Sequence, residues 1–121
     1  MKHKIFINKQ GILELIINGN LSGEELNSIL DEFAALNDEA EKKNHLAYIL
    51  ADASNLGRAR PDSRKKALNR LKSLKRIKMA VYGVNNPYAK YVTRLAAKAI
   101  GMPNLQFFDS REAAEEWIFA E

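Results

Sequence analysis

The sequence predicts an α/β fold, in which one domain spanning residues 1–121 holds a mixed five-stranded sheet. Two observations lead to this prediction. Short runs of apolar residues alternate with segments whose apolar residues recur every three or four positions, which gives the element order ββαβαβαβα and parallel crossover connections. The composition, 46% hydrophobic and 28% charged over 121 residues, is also typical of one globular domain.

The first two predicted strands form a β-hairpin. Residues 5–7 and 12–17 are rich in isoleucine, and the polar segment between them ends in Gly11, as hairpin connections often do. This hairpin adds one antiparallel strand to an otherwise parallel sheet. The sequence Asn-Gly-Asn at residues 18–20 predicts a turn at the end of the second strand.

A well-marked helix follows, and a buried strand comes after it. Ser22 and Glu25 have the spacing of a capping box, and apolar residues at helical spacing continue until the charged residues near Lys43. Residues 46–52 are almost all apolar, which is typical of an interior strand covered on both faces. A loop is expected over residues 53–57.

The second half of the chain repeats the helix–strand alternation. Pro61 and Asp62 open a second helix, a strand covers residues 77–82, and a third helix over residues 88–100 begins after Pro87. Residues 105–108 form the last strand. Asp109 or Ser110 caps a final helix whose apolar stripe includes Trp117 and Ile118.

Composition and motifs exclude several classes of function. The chain has no cysteine, which rules out disulfides and thiolate metal sites. His3 and His45 stand alone and are interpreted as ordinary surface or edge histidines, so no metal site is predicted. Neither a catalytic constellation nor a cofactor motif is found, so we expect no cofactor and no enzymatic activity. Because no apolar run is long enough for a signal peptide or a membrane span, a cytoplasmic location is expected.

Polar residues at the carboxyl ends of two predicted strands form a candidate ligand or anion site. Asp52 and Ser54 follow one strand, and Asn85 and Asn86 follow the next. Ligands of open α/β sheets bind at this edge, and helix N-termini that open there favour anions. The favoured alternative for Asp52 is structural, because aspartate often caps a turn through its own side chain.

The positive charge is concentrated in one segment. Residues 1–57 carry a net charge of −4, residues 58–78 carry +9 and residues 79–121 carry −1. A solvated helix face or an acidic protein partner is the first interpretation, an anionic lipid surface the second, and nucleic acid the third, since no aromatic residues are interleaved with the cations. The candidate basic patch comprises Arg58, Arg60, Arg64, Lys65, Lys66 and Arg70.

Three local patterns resemble the SpoIIAA-like family of the STAS superfamily, whose fold is related to that of the CRAL-TRIO domains. They are Leu-Ala-Asp-Ala-Ser at residues 50–54, Lys-Met-Ala-Val-Tyr-Gly at residues 78–83, and the strand, acidic turn and helix over residues 107–118. The resemblance covers nearly the whole chain. Because these motifs consist mainly of packing residues, they support the fold more than any chemistry.

The resemblance implies a non-enzymatic binding or regulatory module with a protein partner of unknown identity. Some members are switched by phosphorylation in an Asp-Ser-Ser-Gly motif at the second helix. Only Asp62 and Ser63 match that motif here, with Arg64 and Lys65 in the next two positions, which makes Ser63 the candidate phosphosite. The CRAL-TRIO likeness implies an alternative, a carrier of lipid or another apolar ligand beneath the helix of residues 88–100. A homodimer is also left open.

Overall fold

The structure, a computed structural model, describes residues 3–59, 61–84 and 104–120. The predicted helix over residues 88–100, and the candidate residues Asn85, Asn86 and Arg60, lie outside them. The described elements, in chain order, are β1 (Lys4–Ile7), β2 (Leu13–Leu21), α1 (Gly23–Lys43), β3 (Ala47–Ala59), α2 (Pro61–Lys72), β4 (Ile77–Tyr82), β5 (Leu105–Phe108) and α3 (Arg111–Phe119).

The predicted mixed five-stranded sheet is confirmed. The strands lie in the order β1-β2-β3-β4-β5. β1 and β2 form the antiparallel hairpin, and every later pair is parallel. The carboxyl ends of β2, β3, β4 and β5 therefore point in the same direction, which is the geometry that can gather residues from separate loops.

The two faces of the sheet are covered by different helices. α1 and α2 cover the face that contains Ile49, which shares a buried cluster with Phe33 of α1. α3 covers the opposite face, where Ile118 packs with Leu50. Ile49 and Leu50 are successive residues of β3 and are 0% and 1% exposed. Since side chains alternate along a strand, the predicted burial of β3 on both faces is confirmed.

The expected helix caps are present. The Ser22 side chain accepts a hydrogen bond from the Glu25 N–H at 3.1 Å, and the Glu25 carboxylate accepts one from the Ser22 N–H at 3.2 Å. At the other end of α1, Asn44 has a φ of 55° and completes a left-handed cap. Ser110 is the N-cap of α3, and its side chain accepts from the Ala113 N–H at 3.2 Å.

The turn predicted at residues 18–20 and the loop predicted at residues 53–57 are wrong. Both segments belong to strands, and β2 and β3 continue side by side with Asn18 opposite Asn55 and Gly19 opposite Leu56, across two register shifts. Gly19 nevertheless has a left-handed φ of 84°. The close approach needs Gly57, because a Cβ there would lie 2.9 Å from the Asn20 nitrogen and from the Gly19 carbonyl carbon. Pairing between distant segments has overridden the local turn preference of asparagine and glycine.

No helix among residues 3–59, 61–84 and 104–120 is both long enough and apolar enough to cross a membrane.

Candidate functional site

Asp52 lies within β3, opposite Ile16 of β2 and Tyr82 of β4, whereas the sequence predicts that it ends the strand. One of its carboxylate oxygens accepts two hydrogen bonds from Ser54, at 2.9 Å from the backbone N–H and at 2.6 Å from the hydroxyl. Local hydrogen bonds of this kind are what we expect if Asp52 has the structural role of capping a turn with its own side chain. Asp52 and Ser54 are thus brought together, while Asn85 and Asn86 lie outside the described residues. The anion-binding role of these four residues stays a prediction.

Ser63 lies in the first turn of α2, beside the start of α1. Its hydroxyl oxygen is 3.7 Å from the position that a Cβ on Gly23 would occupy, so the N-termini of α1 and α2 meet here. Helix N-termini present free N–H groups and a partial positive charge. A negatively charged group on Ser63 would therefore lie in a favourable field.

The basic patch divides into cations that face solvent and a cation that is bonded within the molecule. Lys65 and Lys66 are exposed, and neither forms an ion pair with any residue that the structure describes. Arg70 instead reaches α1, where its Nη2 donates to Asp31 Oδ1 at 2.9 Å. Of the other predicted members, Arg58 belongs to β3 and Arg64 to α2.

Two further cations of residues 58–78 are also bonded within the molecule. Arg76 donates to Glu41 at 2.8 Å and to Asn44 at 3.1 Å, which joins the start of β4 to the end of α1. Lys78 donates to the Trp117 carbonyl at 2.8 Å and lies 4.5 Å from the centroid of the Trp117 ring. It therefore adds a charged donor to a carbonyl at the end of α3 that also accepts a hydrogen bond from the Ala120 N–H.

A charged cluster that the sequence reasoning missed attaches α3 to β2. Glu14 is only 6% exposed, and its carboxylate accepts hydrogen bonds from Arg111 Nη1 at 2.7 Å and from Asn8 at 3.0 Å. Arg111 also bonds Glu115 and donates to the Tyr82 hydroxyl at 3.3 Å. The sequence feature that could have revealed this cluster is Glu14, the single carboxylate in the otherwise apolar run of residues 12–17.

The electrostatics of this cluster favour the charged forms of Glu14 and Arg111. The Arg111 hydrogen bond lowers the pKa of Glu14 against the opposing effect of burial, and the bond to Glu14 raises the pKa of Arg111. Burial raises the pKa of Tyr82, with a smaller contribution from the charge of Asp52. Arg111 already contacts two carboxylates, so the cluster is built to hold elements together rather than to bind an anion.

His3 was expected to be a surface or edge histidine; it is buried rather than on the surface, and it directly precedes β1, an edge strand of the sheet. It is 3% exposed, and its Nδ1 accepts a hydrogen bond from the Asn18 N–H at 3.0 Å. The proton of a neutral ring therefore lies on Nε2, which is 2.9 Å from Glu25 Oε2, although the angle falls outside hydrogen-bond geometry. His45, by contrast, is exposed, as expected. Within the described ranges, no group of three His, Asp or Glu side chains is arranged to hold a metal ion.

Comparison with known proteins gives a result for the fold. No family model matches the chain, and no curated protein matches it. An uncharacterised protein of the DUF3478 family from Shewanella loihica, with a SpoIIAA-like fold, superposes with a TM-score of 0.61 at 20% identity over 96% of this chain and 91% of that chain. SpoIIAA, a cell fate determinant of Bacillus in its phosphorylated form, superposes with a TM-score of 0.58 at 11% identity, over 95% and 98% of the two chains. The chain has a SpoIIAA-like fold.

Proposed function

We propose that this protein is a non-enzymatic binding or regulatory module that engages an acidic protein partner through residues 58–78. The observation that supports the proposal is that some cations of that segment are exposed and unpaired among the described residues, while others are bonded within the molecule. Lys65 and Lys66 face solvent without an ion pair among the described residues, whereas Arg70 is bonded to Asp31. The binding surface that we propose is therefore centred on the start of α2, with Lys65 and Lys66.

The charge distribution of the whole chain supports an acidic partner. The segment of residues 58–78 has ten cations and one acid, while the rest of the chain has a net negative charge. A concentrated patch of one sign steers the approach of an oppositely charged partner and repels a like-charged one. Binding should accordingly weaken as salt is raised.

Ser63 supplies a means of regulation. SpoIIAA, which shares the fold, is known in a phosphorylated form. Phosphate on Ser63 would add a charge of about −1.5 to −2 at pH 7, close to the exposed Lys65 and Lys66. It would be stabilised by the two helix N-termini, and it would reduce the attraction for an acidic partner. Phosphorylation would thus release the partner.

The carrier alternative depends on the helix predicted over residues 88–100. That segment lies outside the described residues, and no described contact favours the carrier. Native mass spectrometry of the purified protein tests it directly, because a carrier should retain a lipid.

A defined acidic probe tests the proposed function. The probe is a capped eight-residue peptide of alternating Thr and Glu, titrated into the protein at low ionic strength. The double variant Lys65→Glu/Lys66→Glu should bind about ten-fold more weakly or worse. The double variant Lys4→Glu/Lys9→Glu removes the same charge from other exposed lysines, and it should bind within about two-fold of the original protein.

Two results would contradict the proposal. Equal weakening in both double variants would mean that only the net charge of the molecule matters. Unchanged binding in Lys65→Glu/Lys66→Glu would remove the role given to the start of α2. A control peptide of alternating Thr and Lys should not bind either the original protein or the Lys4→Glu/Lys9→Glu variant.

A further inference from the structure

At the carboxyl end of β4, the neighbouring strand β3 extends further than β4 does. The β3–β4 ladder ends where Asp52 pairs with Tyr82, yet β3 continues to Ala59. Gly83, with a φ of 83°, lies close beside Ser54, since a Cβ on Gly83 would be only 3.0 Å from the Ser54 Cβ. Past this point, none of the described strands pairs with β3 on its β4 side.

The projecting part of β3 has one edge that pairs with β2 and a second edge, the open edge, which pairs with none of the strands the structure describes. On the paired side, Asn55 lies opposite Asn18 and Leu56 lies opposite Gly19 of β2. Asn55, Leu56 and Gly57 are all exposed, and Leu56 keeps 37% of its surface accessible. Successive residues of a strand direct their N–H and C=O groups to opposite edges. Part of the backbone of residues 55–57 therefore carries N–H and C=O groups that pair with no described strand, which is the arrangement that accepts an added strand.

The charges beside this open edge select the occupant. Arg58 follows Gly57 directly, and α2, which carries the exposed Lys65 and Lys66, begins at Pro61. Asp62 is the one acidic residue between positions 53 and 78. The open edge thus directly precedes a basic stretch of the chain and includes the exposed Leu56, so acidic residues alternating with small or apolar residues would fit an extended segment there best.

We propose that the acidic partner binds as an extended peptide segment that adds a strand to the open edge of β3 over residues 55–57. This inference rests on the proposed function and specifies how the partner is held. Backbone hydrogen bonds to the open edge would supply affinity that is independent of side chains, and the neighbouring cations would supply the preference for acidic segments. Leu56 would contact the side chain of the added strand that lies beside it on the same face.

The test compares two forms of the same peptide. The Thr-Glu peptide described above is titrated beside a copy whose two central amides are N-methylated, which blocks one hydrogen bond on each of its edges while every charge is kept. The methylated copy should bind about ten-fold more weakly. In parallel, those amides of residues 55–57 that face the open edge should exchange several-fold more slowly when the unmethylated peptide is present, since added strands protect the amides that they pair with.

The outcomes separate this inference from the proposed function. If both peptides bind equally, exchange at residues 55–57 is unchanged and Lys65→Glu/Lys66→Glu still weakens binding, strand addition is wrong and the acidic-partner proposal stands. If methylation weakens binding but the lysine variant has no effect, strand addition stands and the role of the lysines is wrong. If the original protein binds neither peptide at low salt, both proposals are overturned.

Discussion

Lys65 and Lys66 belong to the same basic segment as Arg70, Arg76 and Lys78, yet the two groups have different surroundings. The first two point into solvent at the start of α2. The other three are bonded to α1 or to α3. The difference arises because the acidic residues of α1 lie along the later part of α2 and the start of β4. A net charge of +9 in a sequence segment is therefore larger than the positive charge that a partner would meet.

This comparison sorts the charged residues of the molecule into those that join its elements and those that remain available for binding. Substitution of the first kind should change stability, and substitution of the second kind should change binding alone. Glu14, which pairs with Arg111, is the only buried carboxylate among the described residues. It offers the largest expected effect.

Arg111→Ala should lower the free energy of unfolding by about 2–4 kcal/mol, because it leaves the buried carboxylate of Glu14 without its cation. The measurement is urea denaturation followed by circular dichroism at pH 7. Glu14→Gln/Arg111→Met, which removes both charges, should recover part of the loss. If Arg111→Ala is as stable as the original protein, the ion pair between Glu14 and Arg111 does not stabilise the contact between β2 and α3.

The pH dependence of stability tests the same pair. The pKa of Glu14 is lowered in the folded protein by the Arg111 hydrogen bond. Its contribution is therefore present above the pKa of the unfolded chain and is lost as the pH falls through the folded pKa. Between about pH 5 and pH 3, around the ordinary glutamate pKa, the original protein should lose more stability than Glu14→Gln. Parallel pH profiles for the two proteins would contradict this assignment.

Lys78→Met should have a smaller effect, a loss of about 1–2 kcal/mol. Methionine keeps most of the aliphatic packing but removes the hydrogen bonds to the end of α3 and the cation over Trp117. Thermal unfolding measures the loss. Hydrogen exchange should locate it in α3, with faster exchange there than in α1. A change spread evenly over both helices would indicate a different cause.

Arg70 and Asp31 should contribute less again, since both side chains are partly exposed, at 39% and 73%. A double-mutant cycle with Arg70→Ala and Asp31→Ala should give a coupling energy of about 0.2–1 kcal/mol, the usual range for exposed ion pairs. A coupling energy near zero, together with weaker binding of the Thr-Glu peptide by Arg70→Ala, would move Arg70 into the binding group.

The parts of the fold that depend on neighbouring residues were predictable from the sequence. The α1 cap needs only Ser22 and Glu25, and the burial of β3 follows from its own apolar run. The contact partners of the charged side chains were not predictable in this way. Arg70 meets Asp31 across 39 positions, and Arg111 meets Glu14 across 97. The extension of β2 and β3 was not predicted because it also depends on residues that are distant in the sequence. A glycine is required at position 57 only when β2 lies directly beside β3.

The smallest expected change in stability is that of Lys65→Ala/Lys66→Ala, and it is the most informative for function. Neither lysine has an ion-pair partner among the described residues, so the free energy of unfolding should stay within about 0.5 kcal/mol of the original. Binding of the Thr-Glu peptide at low salt should nevertheless weaken by several-fold. The two results together would place these lysines in the binding group. A clear loss of stability would instead show that α2 needs these lysines. The division into residues that join elements and residues that are available for binding would then be wrong for Lys65 and Lys66.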